Sequence, residues 1–196
     1  MINKVIFVAF ILLETFSFSQ VVVAGDAVAR VYGETIYRDQ LESGTGGSTD
    51  RSQHRLSQLI LGPLYERYVR EHGIAATDTD VQQLLSAFAK FQPQGKGHLE
   101  GALGRQIAEP WILKWKLSKA LYEQYRGTVI FQQGNPLEPV GAMRRFLEEQ
   151  EQSGAFEIFD EDYRRRFWEY YTRQHSGQVP PEKVDFDQPW WLMRQQ

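Results

Sequence analysis

Residues 64–85 read LYERYVREHGIAATDTDVQQLL, and this stretch indicates the fold class of the whole chain. Apolar side chains recur at steps of three and four residues until Gly73, which predicts an amphipathic helix that ends at that glycine. Thr77 and Asp80 then form a capping-box pattern, in which each side chain can accept a hydrogen bond from the other residue's backbone. The stretch therefore predicts a helix, a tight turn and a second, capped helix.

The pattern stays mainly helical on both sides of this stretch. The helix before it contains Gly62-Pro63, where we expect a kink because proline cannot donate the helical hydrogen bond. Further helices are predicted over residues 99–107, from Pro110 to Tyr125 and from Asn135-Pro136 to about Gly154, with loops over residues 42–50 and 92–98. A last helix is predicted with Asp160 as its cap and with Tyr163, Phe167, Tyr170 and Tyr171 on one face. Strands are predicted over residues 27–36, 128–132 and 155–159. The predicted fold class is mainly α with a few short strands.

Composition limits the classes of function. The chain has 196 residues, 42% of them hydrophobic and 24% charged, which fits a folded globular protein. A formal net charge of -3 gives no electrostatic reason to expect a nucleic-acid partner. Cysteine is absent, so the fold depends on packing without disulfides.

The N-terminus has the pattern of an export signal. Lys4 precedes the apolar run VIFVAFILL at residues 5–13, and Val22-Val23-Ala24 offers a cleavage site after Ala24. We therefore predict that residues 1–24 are a signal peptide and that the protein is periplasmic or otherwise exported. The run is too short for a stable membrane span. A buried N-terminal helix or an uncleaved anchor are the alternatives, because Glu14 is unusual within a signal.

Catalytic and metal-binding patterns are missing from the sequence. The four histidines are far apart, and none has a metal-ligand neighbour at helical spacing. No G-x-S-x-G, H-E-x-x-H or phosphate-loop motif is present. We therefore predict a protein that is not an enzyme and that needs no cofactor or metal.

Aromatic side chains are the candidate binding residues. Trp111, Trp115 and Tyr122 form one stripe on a predicted helix whose other stripe contains Leu113, Leu117 and Leu121. A helix with two apolar stripes has two faces to cover. The aromatic stripe can belong to the core, contact a partner, or receive the C-terminal segment PWWLM at residues 189–193.

Two segments resemble a known family. VARVYGETIYRDQLE at residues 28–42 resembles the opening strand, turn and helix of SurA-type periplasmic chaperones and their parvulin-linked relatives. Residues 64–85 resemble that family's helix, glycine turn and capped helix. The Gly62-Pro63 pair departs from the family's long helix. The parvulin isomerase domain is also missing, since the 71 residues after Tyr125 contain one His, no Cys and no Gly-Gly-x-Leu-Gly segment.

The resemblance implies a domain organisation and a function. Residues 25–126 would form a SurA N-terminal-like helical module, and residues 127–196 an α+β extension packed on it. The module would bind extended or unfolded polypeptide segments without nucleotide, with Trp111, Trp115 and Tyr122 lining the crevice. The alternative is a non-catalytic assembly or accessory subunit that holds one dedicated folded partner. A peptidyl-prolyl isomerase is a third, lesser alternative, for which we expect no activity.

Overall fold

A computed structural model describes residues 27–42, 49–90, 101–132 and 135–192. The predicted signal peptide at residues 1–24 and the predicted loop at residues 92–98 lie outside these ranges. The predicted loop at residues 42–50 is described only at its ends, where both flanking residues belong to helices.

The described residues form six α-helices and five short strands, which confirms the mainly α fold class. The strands are β1 (Ala27–Val31), β2 (Glu34–Tyr37), β3 (Ile130–Gln132), β4 (Asn135–Glu138) and β5 (Phe156–Ile158). The helices are α1 (Arg38–Glu42), α2 (Thr49–Glu71), α3 (Asp78–Ala89), α4 (Gly101–Tyr125), α5 (Val140–Gln152) and α6 (Glu161–Thr172). Two short 3₁₀ turns follow at Pro181–Lys183 and Trp190–Leu192.

A three-stranded antiparallel sheet of order β2-β1-β5 joins the N-terminal hairpin to the segment between α5 and α6. β1 and β2 form the predicted hairpin, and its two turn residues, Tyr32 and Gly33, have φ of 47° and 86°. Positive φ at both positions is what a two-residue type I′ turn requires. On the other edge of β1, Arg30 pairs with Glu157 of β5 and forms a 3.0 Å ion pair with it.

The turn between α2 and α3 has the predicted geometry. Gly73 adopts a φ of 61°, and the Ile74 backbone N–H donates to the Val69 carbonyl at 2.9 Å, as in a Schellman cap. The Thr77 N–H donates to the Asp80 carboxylate at 2.8 Å, and the Asp80 N–H donates to the Thr77 hydroxyl at 3.2 Å. The capping box is therefore confirmed.

Prolines inside helices do not interrupt them. α2 continues through Gly62-Pro63, and α4 is one helix of 25 residues that continues through Pro110. The prediction of two separate segments around Pro110 is therefore wrong. The core contacts of Ala108 and Ile112, both fully buried on either side of the proline, keep the two halves in one helix.

The prediction that a helix begins at Asn135-Pro136 is also wrong. This segment is β4, which pairs antiparallel with β3, and α5 begins only at Val140. In this strand Leu137 is buried in the core, and the backbone groups of the strand find hydrogen-bond partners on β3. Both gains outweigh the local preference of Asn-Pro for a helix start. The predicted strand at residues 155–159 and the Asp160 cap of α6 are confirmed.

The core has two parts, and α4 contributes to both. The first lies between α2, α4, α5, α6 and the sheet, with Leu117 and Leu121 as the contribution of α4. The second lies between α3, α4 and the C-terminal segment, with Ile112 and Trp115 facing it. Both parts contain residues from before and after residue 126, so the proposed module and its extension share their cores.

Candidate binding cleft

An open cleft of about 930 Å³ lies between α2 and α6 and is closed at its sides by α4, α5 and the β3–β4 hairpin. We call it the aromatic cleft, after the four aromatic rings in its wall. Its lining residues are Asp50, Gln53, His54, Ser57, Gln58, Leu61, Gly62, Tyr65, Lys114, Gln132, Glu138, Met143, Arg166, Phe167, Tyr170 and Tyr171.

Helical spacing places three of these aromatic residues together. Phe167, Tyr170 and Tyr171 stand three and four positions apart on α6, so their side chains share one face of that helix. The rings of Tyr170 and Tyr171 meet edge to face at 5.1 Å, and those of Phe167 and Tyr171 lie 5.6 Å apart. Tyr65 contributes the fourth ring from α2. Aromatic pairs at such separations contribute about 0.5–1.5 kcal/mol beyond the area that the rings bury.

A short chain of hydrogen bonds fixes the hydroxyl of Tyr170. The Gln132 side-chain amide donates to this hydroxyl at 2.8 Å, and the hydroxyl donates to the Glu138 carboxylate at 2.9 Å. Burial and the negative charge of Glu138 both raise the pKa of Tyr170 well above its usual range. Burial likewise raises the pKa of Tyr65 and of Tyr171. All three phenols therefore stay neutral at physiological pH.

Gln53 presents an unpaired amide in this wall. Its side-chain nitrogen and oxygen are both buried, and neither has a hydrogen-bond partner among the described residues. The Ser57 hydroxyl donates at 3.1 Å to the backbone carbonyl of Gln53 and does not reach its amide. A buried polar group without a partner destabilises the folded state by about 1–3 kcal/mol. Both atoms are closed to solvent, so this amide lies beneath the surface of the cleft.

The charged groups of the cleft balance each other. Asp50 and Glu138 supply two negative charges, and Lys114 and Arg166 supply two positive charges. His54 lies within 3.0 Å of the Gln58 amide through its ring nitrogen Nε2. These four formal charges sum to zero. The balance favours an uncharged ligand over an anionic cofactor.

The three binding residues predicted from the sequence lie elsewhere, and none lines the aromatic cleft. Trp115 is only 3% exposed, and its ring packs against Phe186 at 5.3 Å and Trp191 at 6.2 Å. Tyr122 is partly buried and packs against the same Phe186 at 5.0 Å. The third residue, Trp111, remains 38% exposed.

The C-terminal segment therefore covers much of this surface, which we call the tryptophan face (Trp111, Trp115 and Tyr122). Trp190 meets Trp111 edge to face at 6.2 Å, and Trp191 is buried beside Trp115. Docking of the PWWLM segment was one of the arrangements that the sequence allowed, and residues 189–192 adopt it. Met193 lies outside the described residues.

The sequence indicated the aromatic residues that α6 contributes to the cleft, but not the residues that α2 contributes. The aromatic face of α6 was recognised from its spacing, although it was not assigned to a site. Tyr65 occupies an ordinary helical position on α2. Gln53 is one of many polar helix residues, and no local pattern indicates that its amide is buried.

The described part of the chain contains no group of three or more His, Cys, Asp or Glu side chains placed to hold a metal ion. None of the described helices is both long and apolar enough to cross a membrane. Comparisons with protein-family models, with curated proteins and with solved structures give no match for this chain.

Proposed function

We propose that this protein is a non-enzymatic, chaperone-like binding protein that holds extended segments of unfolded polypeptides in the aromatic cleft without nucleotide. The observation that supports the proposal is the lining of this cleft, which combines four aromatic rings with balanced charge. Clefts of this size with mainly apolar walls and a few oriented polar groups are the usual form of ligand sites in proteins.

The energetics suit a reversible binder. Burial of one or two aromatic side chains contributes about 1.5–3 kcal/mol each. Ordering of the bound segment and loss of its free motion offset part of that gain. The expected affinity is therefore weak, with a Kd of about 10 μM to 1 mM for a short peptide. Release then needs no energy source, which suits a compartment without nucleotide.

The sequence supports the same proposal independently. The predicted signal peptide at residues 1–24 would deliver the protein to the periplasm or another exported compartment. The segments at residues 28–42 and 64–85 resemble SurA-type chaperones, which bind unfolded exported proteins. We propose the same class of client for this protein, and no peptidyl-prolyl isomerase activity.

The test is binding of permanently unfolded polypeptides to two tryptophan variants of the same helix. Ser57→Trp places a bulky ring in the lining of the cleft, whereas Arg55→Trp places it on an exposed position of α2 outside the lining. Isothermal titration with several unrelated carboxymethylated, unfolded proteins should show binding to wild type and to Arg55→Trp. Binding to Ser57→Trp should be at least tenfold weaker. Unfolding curves check that both variants are folded.

Equal binding by the two folded variants would contradict the assignment to the cleft. Absence of binding by the wild-type protein would contradict the function itself. Suppression of aggregation should follow the same order, since it depends on capture of exposed apolar segments.

A second candidate function is that of an assembly subunit for one folded partner. Its support is the exposed apolar surface on α4, where Leu103 and Trp111 are 58% and 38% exposed and Trp190 borders Trp111. Under this proposal the tryptophan face is the partner-binding surface, with Trp115 and Tyr122 supporting Trp111 from below. Co-purification of one partner in a fixed ratio, lost on Trp111→Ala and retained in Ser57→Trp, would favour this function over the first.

A further inference from the structure

We propose that the tryptophan face is a second polypeptide-binding site, which the chain closes with its own residues 186–191 and which an aromatic segment of a partner protein opens. The ligand class is a linear segment with one aromatic residue, an aromatic pair four and five positions later, and further apolar residues after the pair. The site is separate from the aromatic cleft, and the inference does not rest on binding there.

Residues 186–191, which we call the anchor segment, are attached to the rest of the described chain through side chains alone. The last backbone hydrogen bond to another part of the fold runs from the Val179 N–H to the Val129 carbonyl at 2.8 Å. Beyond it, the backbone hydrogen bonds among the described residues are local, such as that from the Leu192 N–H to the Pro189 carbonyl at 2.9 Å. A strand or a packed helix is built into a fold differently, and this attachment is that of a linear peptide in a groove.

Three aromatic side chains supply the attachment. The ring of Phe186 lies 5.3 Å from that of Trp115 and 5.0 Å from that of Tyr122, and Trp191 lies 6.2 Å from Trp115. Trp190 is the third anchor and is partly buried at the rim. The two residues that follow Phe186 are exposed. Aromatic anchors in buried pockets, separated by exposed positions, are typical of the residues that dominate the affinity of binding surfaces.

The fit of the anchor segment is incomplete. The indole N–H of Trp191 is buried and has no hydrogen-bond partner among the described residues, which is unfavourable for the docked state. The ion pair between Asp187 and Lys119 is long, at 3.4 Å, and the Asp187 side chain is 95% exposed, so water and salt screen it. The anchor segment therefore docks without the complementary polar contacts of a fixed core element, and a better ligand can displace it.

The direction of the anchor segment indicates where a longer ligand gains contacts. Phe186 lies beside Tyr122, and Trp190 lies 6.2 Å from Trp111, so the segment runs antiparallel to α4. A chain that continues in this direction approaches Leu103, about two turns before Trp111 on the helix. Leu103 is 58% exposed and Trp111 is 38% exposed, so apolar surface remains for such a ligand to cover.

This remaining surface favours a partner protein over a second copy as the source of the ligand. A short tether holds the anchor segment at an effective concentration of about 1 mM. For an intrinsic Kd of about 10 μM, the face is open for about 1% of the time. The same segment from a second copy makes the same contacts and gains nothing in this competition. A partner segment that also covers Leu103 and Trp111 binds more tightly and can replace the anchor segment.

The experiment measures binding of two labelled synthetic peptides to the full chain by fluorescence anisotropy. The first peptide has the sequence of residues 184–192, VDFDQPWWL, and the second adds Ser-Leu-Lys-Leu at its C-terminal end. The double variant Phe186→Ala/Trp191→Ala removes the two buried anchors and should bind the first peptide about a hundredfold more tightly than wild type does. The control peptide VDADQPWAL, which lacks the same two anchors, should bind neither protein.

The extension and the location of the site are tested on the same double variant. The second peptide should bind it about tenfold more tightly than the first, and addition of Leu103→Ser should remove this gain. Addition of Ser57→Trp, which blocks the aromatic cleft, should leave the affinity for both peptides unchanged.

A second measurement covers the case in which the double variant does not fold. A protease recognition sequence inserted between Glu182 and Lys183, both exposed, allows the folded full chain to be cut while the anchor segment is docked. The cut segment should then dissociate and be replaced by the labelled first peptide, with a Kd of about 10 μM.

Four results would overturn the inference. A cut segment that stays docked and does not exchange is a fixed part of the core. A folded double variant that binds the first peptide no more tightly than wild type, or that loses the peptide on Ser57→Trp, has no site on the tryptophan face. An extension without effect on affinity contradicts the partner class. Wild-type dimers that exchange their anchor segments, detected by light scattering, assign the face to a second copy. None of these results bears on the aromatic cleft, whose own titration tests the proposed function.

Discussion

Asp160 performs two tasks with one carboxylate. One oxygen accepts from the backbone N–H groups of Asp162 and Tyr163 at 3.0 and 3.1 Å, and so caps α6. The other oxygen accepts from the Arg38 guanidinium at 2.7 Å, which ties α6 to the start of α1. Burial by itself would raise the pKa of Asp160, but these hydrogen bonds and the charge of Arg38 lower it overall.

Two substitutions at Asp160 separate these tasks. Asp160→Ala should lower the free energy of unfolding by about 1–2 kcal/mol, because the cap and the ion pair are both lost. Asp160→Asn keeps a capping oxygen and should cost less than about 1 kcal/mol. A carboxylate with a lowered pKa stabilises the fold above its unfolded pKa, and this contribution disappears as the pH falls through the folded pKa.

The advantage of wild type over Asp160→Asn should therefore be present at pH 7 and shrink below about pH 4. Urea unfolding at both pH values measures it. A difference that is the same at pH 7 and pH 3 would show that the ion pair with Arg38 adds nothing.

Gly141 is required for a close contact between backbones. A Cβ at this position would lie 2.4 Å from the backbone nitrogen of Thr128 and 3.0 Å from the carbonyl carbon of Gly127. The Gly141 N–H also donates to the Thr128 carbonyl at 2.9 Å, so the two segments cannot separate without losing a hydrogen bond.

Gly141→Ala should therefore destabilise the protein by more than about 2 kcal/mol, as backbone shifts in a packed region do. Gly62→Ala is the control, since a Cβ there meets nothing within 4 Å. Its helix-propensity gain is offset by the restriction that Pro63 places on a preceding Cβ, so its effect should stay below about 1 kcal/mol. Thermal or urea unfolding measures the stability of both variants. A similar loss of stability in the two variants would contradict the close backbone contact at Gly141.

At the scale of the elements, α4 organises the molecule, because its two apolar faces serve two different parts of the core. Leu117 and Leu121 face the helices of the first part, while Ile112 and Trp115 face α3 and the C-terminal segment. The tryptophan face is thus graded, with Trp115 buried and Trp111 at the rim.

The gradient along the tryptophan face predicts unequal effects of truncation. Trp115→Ala should lower the free energy of unfolding by about 3–5 kcal/mol, since it removes a large buried side chain. Trp111→Ala should cost about 1 kcal/mol or less, since much of its ring already contacts water. Denaturant unfolding of the two variants provides the comparison. Equal losses would mean that the C-terminal segment does not cover Trp115 as described.

The sequence predicted the elements whose local chemistry is complete within a few residues. The capping box of Thr77 and Asp80, the Gly73 cap and the Asp160 cap each depend on contacts within one turn. It failed where contacts outside one helical turn decided the outcome. Asn135-Pro136 became a strand because β3 lay alongside, and α4 continued through Pro110 because both halves pack on the core.

In the candidate site, too, local sequence patterns predicted some of the residues and not others. The aromatic spacing on α6 could be read directly, because helical periodicity places Phe167, Tyr170 and Tyr171 on one face. The association of this face with Tyr65 could not be predicted, because Tyr65 lies on α2, about one hundred residues earlier in the sequence. The interpretation of Trp111, Trp115 and Tyr122 as binding residues stays a prediction, and residues 186–191 cover most of that face.

At the scale of the whole molecule, buried phenols make the protein sensitive to alkali. The pKa of Tyr65 and of Tyr171 is raised by burial, and that of Tyr170 by burial and by Glu138. A phenol with a raised folded pKa contributes stability that is complete below its unfolded pKa and is lost as the pH rises through its folded pKa.

The contribution of these three phenols to the free energy of unfolding should therefore be constant up to about pH 10 and then decline steeply. The decline is measured by urea unfolding at intervals from pH 8 to pH 12. Tyr170→Phe, which cannot ionise at this position, should reduce the slope of the decline. An unchanged slope in that variant would contradict the shifted pKa of Tyr170.

The central claim is that the aromatic cleft holds extended polypeptide, and photo-crosslinking tests it most directly. An extended peptide with a photoreactive benzoylphenylalanine in place of its aromatic residue is irradiated with the full-length protein, and the attachment sites are mapped by mass spectrometry. The account predicts attachment to cleft residues such as Leu61, Met143 and Tyr170, lost on competition with the unlabelled peptide. Attachment concentrated on Leu103 and Trp111, or competition-resistant labelling over the whole surface, would contradict it.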